Sequence, residues 1–242
     1  MAHVDKSWDH QQLRAASLGP GEAHVWYVDT DTAGWPVADL ATLLSQDETT
    51  RADRFKFDHL KRRYTISHGV LRQLLSRYTD TAPNQLQFVH NQNDKPSLAC
   101  GSVQFNISHS RHETLLAFTA TQTIGVDLEI IKDSVSCLDI ARRFFSAAEV
   151  GVLAATPEAE QQSTFFRCWT RKEAYVKARG DGIAAAASTF TVSLEPDRPS
   201  LIDSIDDDLD WTLANLPEIE SFKSALCVRG SVDRVRCFAM LP

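Results

Sequence analysis

Residues 165–183 read FFRCWTRKEAYVKARGDGI, and no other stretch of the chain places so much charge beside so many aromatic side chains. Glu173, Lys177 and Gly180 follow steps of three and four residues, so on a helix they share one face. Gly180 and Gly182 predict where that helix ends. The face has two interpretations: an ordinary surface pair of Glu and Lys, worth roughly a few tenths of a kcal/mol, or a pair of catalytic groups.

The composition of the 242-residue chain is that of an ordinary globular protein, with 43% hydrophobic residues. Its formal net charge of −7 argues against a general nucleic-acid or membrane-surface binder. The five cysteines lack the spacing of zinc or thioredoxin motifs, which predicts reduced thiols. No apolar run fits a signal peptide or a membrane span. We therefore expect a cytoplasmic protein with no nucleic-acid and no membrane partner.

The predicted elements follow the order strand, helices, strands, and this order occurs twice. Predicted strands are 24–29, 86–90, 104–108, 114–119, 123–131, 189–194, 211–216, 222–228 and 235–241, and predicted helices are 37–44, one capped by Ser45, 60–78, 138–145, 147–155 and 158–179. The first 22 residues or so are polar and expected to be loosely held. The order predicts an α+β fold of two similar halves, residues 1–122 and 123–242. One continuous α+β domain is the alternative.

Two carboxylates lie on one face of the predicted strand 123–131. Asp127 and Glu129 are two residues apart, so both point to the same side of the strand. Like charges held together are unfavourable unless a cation or a shared proton offsets them. Carboxylates of this kind suit Mg²⁺, which is usually held together with substrate phosphates and water. The alternative is the polar outer face of an edge strand.

Glu149 has two possible roles. Ser146 and Glu149 fit a helix capping box, and the residue chemistry alone favours that role over a third metal ligand. The chain contains neither of the glycine-rich motifs that cradle phosphates, Gly-x-x-x-x-Gly-Lys or Gly-x-Gly-x-x-Gly. Phosphate contacts would therefore come from scattered side chains such as Arg51, Arg63, Lys95 and His109.

Two motifs in this order resemble the signature of the 4′-phosphopantetheinyl transferase superfamily, in its larger Sfp-type group. The first is Gly125-Val-Asp-Leu-Glu129, and the second is Trp169-Thr-Arg-Lys-Glu-Ala-Tyr-Val-Lys177. Residues 94–96, 105–110 and 142–149 also look like stretches of that family. The resemblance covers most of the chain and is densest between residues 95 and 183.

The resemblance implies a reaction and a role for each matching residue. The family transfers the phosphopantetheine arm of coenzyme A to a serine of a carrier protein and releases adenosine 3′,5′-bisphosphate. The implied metal ligands for Mg²⁺ are Asp127, Glu129 and Glu149, with Asp127 also near the coenzyme A pyrophosphate. The implied catalytic residues are Glu173, as the base for the carrier serine, and Lys177, as a phosphate ligand that stabilises the leaving group. The implied coenzyme A contacts are Lys95, Ser108 and His109, with Arg51 and Arg63 at the nucleotide end.

The resemblance also implies partners. An apo acyl or peptidyl carrier protein of a fatty-acid, polyketide or nonribosomal peptide synthase would be modified, as by a holo-[acyl-carrier-protein] synthase. The site is expected in the cleft between the two halves of a monomer. Two other functions remain open: a metal-dependent phosphohydrolase built on the same acids, and a non-catalytic module that binds coenzyme A or a carrier.

Overall fold

The computed structural model describes residues 2–11, 17–132, 136–180, 187–204 and 210–242. The strands of this part of the chain are β1 (His3–Val4), β2 (Asp9–Gln11), β3 (Glu22–Asp29), β4 (Phe88–His90), β5 (Pro96–Leu98), β6 (Gln104–Ser110), β7 (Glu113–Thr119), β8 (Ile124–Ile130), β9 (Thr191–Val192), β10 (Leu201–Asp203), β11 (Trp211–Asn215), β12 (Phe222–Arg229) and β13 (Arg234–Met240). The α-helices are α1 (Val37–Ala41), α2 (Gln46–Asp53), α3 (Asp58–Thr79), α4 (Cys137–Phe144), α5 (Ala147–Ala155) and α6 (Glu158–Arg179). Gly180 ends α6 with a left-handed φ of 81°, whereas Gly182 lies outside the described residues.

Each half of the chain combines an antiparallel group of strands with one 22-residue helix. In the first half β3 pairs with β7 and β7 with β6, and α3 supplies the helix. In the second half β8 pairs with β12 and β12 with β11, and α6 supplies the helix. The prediction of an α+β fold with two similar halves is confirmed.

Three apolar clusters hold these layers together. Ile66, Val70 and Leu74 of α3 pack with residues of the first sheet such as Trp26 and Phe118. The side chains of α6 pack with α4, α5 and the second sheet in a further cluster. A third cluster lies between the two sheets, where β3 and β7 meet β8 and β12. Burial of apolar surface on both faces of each sheet is the main stabilising term.

The last strand belongs to the second half by sequence and to the first half by pairing. β13 lies parallel to β3, with Val235 opposite Ala23, and the first sheet has the order β1-β13-β3-β7-β6. β1 and β2 also pair with β13. The prediction that the first 22 residues are loosely held is therefore wrong for these two short strands. Their polar sequences do not show the apolar alternation by which strands are predicted, because an edge strand needs few apolar side chains.

The long helices are amphipathic and carry many charges. α3 buries residues such as Ile66 and Leu75, and α6 buries residues such as Phe165 and Tyr175. Neither these helices nor any other helix in the described ranges is long and apolar enough to cross a bilayer.

His24 makes the stability of the first sheet depend on pH. It lies in β3, fully buried, with Nδ1 2.8 Å from the Tyr78 hydroxyl. Burial, and after it the charge of Arg236, lowers the pKa of His24 to about 4, although Glu22 opposes the shift. The unfolded chain protonates this histidine near pH 6.5, so stability is fully present above that pH and is lost as the pH falls toward 4.

We expect the free energy of unfolding to fall by about 2 kcal/mol between pH 7 and pH 5 from this group alone. Urea denaturation at the two pH values measures the change, with His24→Gln as the variant that should flatten it. Glu48 contributes little in this window, because burial, which raises its pKa, is outweighed by hydrogen bonds with His68, Ser45 and Arg72 that lower this pKa to about 2. Glu173, with a pKa raised to about 8, makes stability increase as the pH falls, but it is present in both proteins and cancels in their comparison. An equally steep loss in His24→Gln would contradict the assignment.

Candidate active site

Alternate side chains of β6 accept hydrogen bonds from the backbone N–H groups along one edge of β8. The backbone N–H groups of Val126, Leu128 and Ile130 donate to Asn106 Oδ1, Ser108 Oγ and Ser110 Oγ, at 2.9, 3.3 and 3.1 Å respectively. These side chains take the place of a neighbouring strand, because buried N–H groups must find acceptors. The ladder fixes the register between the two halves at the strand that carries Asp127 and Glu129.

Asp127, Ser108 and Lys177 form a compact cluster where β6, β8 and α6 meet. Lys177 Nζ donates to Asp127 Oδ1 at 2.7 Å and to Ser108 Oγ at 2.9 Å. The Ser108 hydroxyl donates to Asp127 Oδ1 at 3.0 Å. The other oxygen of this buried carboxylate, Asp127 Oδ2, has no hydrogen-bond partner within the described ranges. A buried carboxylate oxygen left in this way is suited to a cation.

Glu129 and Glu173 add two further acids to this cluster. Glu173 is only 7% exposed; burial and then the charge of Asp127 raise its pKa to about 8, although Lys177 opposes the shift. Burial and the charge of Asp127 also raise the pKa of Glu129, whose Oε2 accepts a hydrogen bond from Ser110 Oγ at 3.3 Å. Three carboxyl groups lie near a single ammonium group, and carboxylates repel each other. The site therefore favours additional positive charge.

The close approach of α6 to β8 depends on Gly125. A Cβ atom at this position would lie 2.1 Å from the carbonyl oxygen of Ala174 and 2.3 Å from the backbone nitrogen of Ala178. Backbone of the helix therefore rests directly on backbone of the strand. This contact is what lets the side chains of Glu173 and Lys177 reach Asp127.

The carboxylate of Glu149 binds donors from α6, from β9 and from the start of its own helix. Its carboxylate accepts hydrogen bonds from Lys172 Nζ at 2.8 and 2.7 Å, from the backbone N–H of Val192 at 2.7 Å and from the backbone N–H of Ser146 at 2.7 Å. The Ser146 hydroxyl in turn accepts a hydrogen bond from the backbone N–H of Glu149, so the capping box is confirmed. Both oxygens of the carboxylate are thus occupied, each by Lys172 and by one backbone N–H. The described contacts of Glu149 therefore support the capping role and give no support to the role of metal ligand.

Lys95, an expected coenzyme A contact, binds backbone carbonyl groups at the end of α6 and the start of β8. Its Nζ donates to the carbonyl oxygens of Ile124 at 3.2 Å and Ala178 at 3.0 Å. The Nδ2 atoms of Asn91 and Asn93 donate to the carbonyl oxygen of Gly180. Burial lowers the pKa of Lys95 to about 8. The β4–β5 turn thus caps the end of α6, whose last carbonyls lack partners within the helix.

A cavity of about 710 Å³ opens in the first half, and it contains three of the predicted phosphate-binding side chains. They are Arg51, Arg63 and His109. Arg63 also pairs with Asp31 at 2.5 Å, and Arg51 lies over the ring of Tyr64. The pKa of His109 is lowered by desolvation in the cavity and by nearby positive groups, of which Lys177 is the strongest. The charges of Lys177 and Asp127 therefore act on a residue of the cavity wall. Asp127, Glu129 and Glu173 are called the acid cluster below.

Several residues of this site were not predicted from the sequence. Asn106 and Ser110 belong to the ladder, and the alternation of polar residues along 106–110 was an available signal. Tyr64 and His68 stack in the cavity wall with ring centroids 3.9 Å apart. No sequence signal indicated that these two rings line a cavity, because the wall combines α3 with the distant strand β6.

Comparison with known proteins gives concordant matches. A family model described as 4′-phosphopantetheinyl transferase superfamily matches residues 123–227, and one described as 4′-phosphopantetheinyl transferase, N-terminal, matches residues 33–121. The 4′-phosphopantetheinyl transferase HetI of a Nostoc species is 36% identical over 86% of this chain and 88% of its own. The 4′-phosphopantetheinyl transferase Sfp of Bacillus subtilis is 28% identical over 77% of this chain and 82% of its own. A solved holo-(acyl-carrier-protein) synthase of Bacillus anthracis is 23% identical, with a TM-score of 0.39 over 46% of this chain and 97% of its own.

Proposed function

Because this chain belongs to the 4′-phosphopantetheinyl transferase superfamily, we propose that it transfers the phosphopantetheine arm of coenzyme A to a serine of an apo carrier protein. The products are the holo carrier and adenosine 3′,5′-bisphosphate. The observation that carries the proposal for this site is the meeting of Glu173, Lys177 and Asp127 of the second half with Ser108 of the first half. We assign residues 1–122 to a nucleotide-binding half and residues 123–242 to a catalytic half.

Coenzyme A is proposed to bind with its nucleotide end in the large cavity and its pyrophosphate toward Lys177. Arg51, Arg63 and His109 line the cavity and supply positive or hydrogen-bonding groups for phosphate. Ser108, bonded to both Lys177 and Asp127, lies next to His109 and joins the cavity to the acid cluster. Lys95 would contribute indirectly, by fixing the end of α6.

Mg²⁺ fits the acid cluster. Asp127 Oδ2 is buried without a partner among the residues described, and, besides burial, the charge of Asp127 acts on the carboxyl groups of Glu129 and Glu173 and helps to raise their pKa values. Asp127 and Glu129 would hold the ion, with Glu173 beside it, and Glu149 is left out because its oxygens are occupied. When bound, Mg²⁺ would neutralise charge on the pyrophosphate during transfer.

Glu173 is the proposed base. The carrier serine hydroxyl attacks the phosphorus that bears the pantetheine arm, Glu173 takes the hydroxyl proton, and the bond to the nucleotide phosphate breaks. Lys177 would stabilise the negative charge on the departing phosphate oxygen. With a pKa of about 8, Glu173 would be mostly protonated at pH 7 without a cation. With a divalent cation held beside it, Glu173 would have a lower pKa and would be ionised, as a base must be.

The transfer assay tests the proposal directly. The chain is incubated with coenzyme A, Mg²⁺ and a panel of apo acyl and peptidyl carriers, and mass spectrometry follows the carriers. We expect one phosphopantetheine arm on at least one carrier, and the panel separates a holo-[acyl-carrier-protein] synthase preference from a broader one. No modified carrier across the panel would contradict transfer, and release of phosphate from nucleotides without a carrier would indicate a phosphohydrolase.

Removal of the metal gives a second prediction. Treatment with EDTA is expected to lower transfer by at least about a hundredfold, since the acid cluster then lacks its neutralising charge. Mg²⁺ added back should restore the rate, and EDTA saturated beforehand with Mg²⁺ is the control. Full activity in excess chelator would remove the metal from the proposal.

A further inference from the structure

Asp29, His112 and Glu113 form a cluster of potential metal ligands that the transfer reaction does not use. One ligand atom from each residue lies within 4.8 Å of the other two. Asp29 ends β3, Glu113 begins β7 and the two are register partners, while His112 lies in the turn between β6 and β7. The cluster thus joins two neighbouring strand ends in the first half.

An unpartnered buried oxygen points to a missing ligand at this cluster. Glu113 is only 6% exposed. Its carboxyl group interacts with the Tyr27 hydroxyl and with His112 Nε2, which lies 3.1 Å from Oε1. Glu113 Oε2 nevertheless has no hydrogen-bond partner among the residues that the structure describes. A carboxylate oxygen buried alone is costly, and a cation would satisfy it.

The backbone around the cluster is held firmly. The backbone N–H and the hydroxyl of Thr30 both donate to the carbonyl oxygen of His112, at 2.9 and 2.7 Å. Trp35 Nε1 donates to the carbonyl oxygen of Asp29 at 2.8 Å. The side-chain oxygens of Asp29 accept from the Asp31 N–H and the Thr32 hydroxyl, so its carboxylate is oriented. Ligands held in this way lose little freedom when an ion binds.

We propose that Asp29, His112 and Glu113 bind a divalent transition-metal ion of the Zn²⁺ type at a site separate from the Mg²⁺ site. One imidazole with two carboxylates suits such an ion, whereas Mg²⁺ prefers oxygen ligands alone. The 3.1 Å separation between His112 Nε2 and Glu113 Oε1 is close to the edge of about 3.4 Å of a tetrahedron with bonds of about 2.1 Å. Asp29 and His112 are each partly exposed, which leaves an entry path.

Co²⁺ is the probe for this site, because its visible absorption is much stronger in a tetrahedral site, such as Zn²⁺ prefers, than in the octahedral aqua ion. Metal-free protein is titrated with Co²⁺ in excess Mg²⁺, which occupies the oxygen-only site. We expect one Co²⁺ per chain with a visible absorption band. His112→Gln and Glu113→Gln should weaken binding at least about tenfold, equivalent to about 1.4 kcal/mol.

Two control variants distinguish this site from a general attraction of cations to acidic side chains and from the acid cluster around Asp127. Asp31→Asn removes a neighbouring negative charge that is paired with Arg63, and Glu129→Gln removes an acid of the other cluster. Both should keep the Co²⁺ band. The proposal is wrong if the intact chain binds no stoichiometric Co²⁺, if His112→Gln binds it as tightly as the intact chain, or if Glu129→Gln abolishes the band. Should Glu113→Gln fail to fold, the partly exposed His112 still decides the outcome.

Discussion

Replacement of Glu173 by Gln is expected to lower the rate of carrier modification by about two to four orders of magnitude. The amide has almost the same shape as the carboxylate, so it can fill the same buried position beside Asp127 and Lys177. It cannot accept the proton of the carrier serine. Loss of one negative charge beside Asp127 and Glu129 also reduces the attraction for Mg²⁺, so the assay is run over a range of Mg²⁺ concentrations.

The measurement compares two quantities in the same variant. Transfer is followed by mass spectrometry of the carrier, and coenzyme A binding is followed by calorimetry. Binding should persist, because Arg51, Arg63 and His109 lie in a cavity that does not contain Glu173. Glu158→Gln, exposed in the first turn of the same helix, is the matched control and should leave both quantities unchanged. Unaltered turnover in Glu173→Gln at saturating Mg²⁺ would exclude this residue as the base.

Replacement of Gly125 by Ala is expected to destabilise the protein by at least about 3 kcal/mol, the upper end for an overpacked interior. The added methyl group would lie 2.1 Å from the carbonyl oxygen of Ala174 and 2.3 Å from the nitrogen of Ala178. Both atoms belong to helix backbone, which cannot turn aside as a flexible side chain can. Helix α6 must therefore move away from β8, and transfer should fall together with stability.

Gly151 provides the matched control for this change. It lies in α5, and a Cβ atom there would have no neighbour within 4 Å. Gly151→Ala should therefore stabilise the protein by about 0.5–1 kcal/mol, through helix propensity and a less flexible unfolded chain. Urea denaturation measures both variants. If Gly125→Ala were as stable as the unaltered chain, the direct contact between strand and helix backbone would be refuted.

The sequence predicted the elements of the site better than their partners. The steps of three and four residues along α6 and the alternation along β8 are strong local patterns, and both elements lie where they were predicted. The sequence could not predict the hydrogen bonds of Lys95, because its acceptors are the backbone carbonyl groups of Ile124 and Ala178, which are distant in sequence. Glu149 had a correct local signal in its capping box. The expectation that Glu149 binds a metal came from the resemblance. The sequence carries no signal that Lys172, on a different helix, pairs with the Glu149 carboxylate.

The return of β13 to the first sheet has a consequence for folding during synthesis. β3 and β13 are paired although more than two hundred residues separate Ala23 from Val235. While the chain is still attached to the ribosome, one edge of β3 stays open until β13 has emerged. Contacts so distant in sequence form slowly, and an open strand edge invites pairing with other chains. We therefore expect nascent chains that stop short of β13 to depend on chaperones.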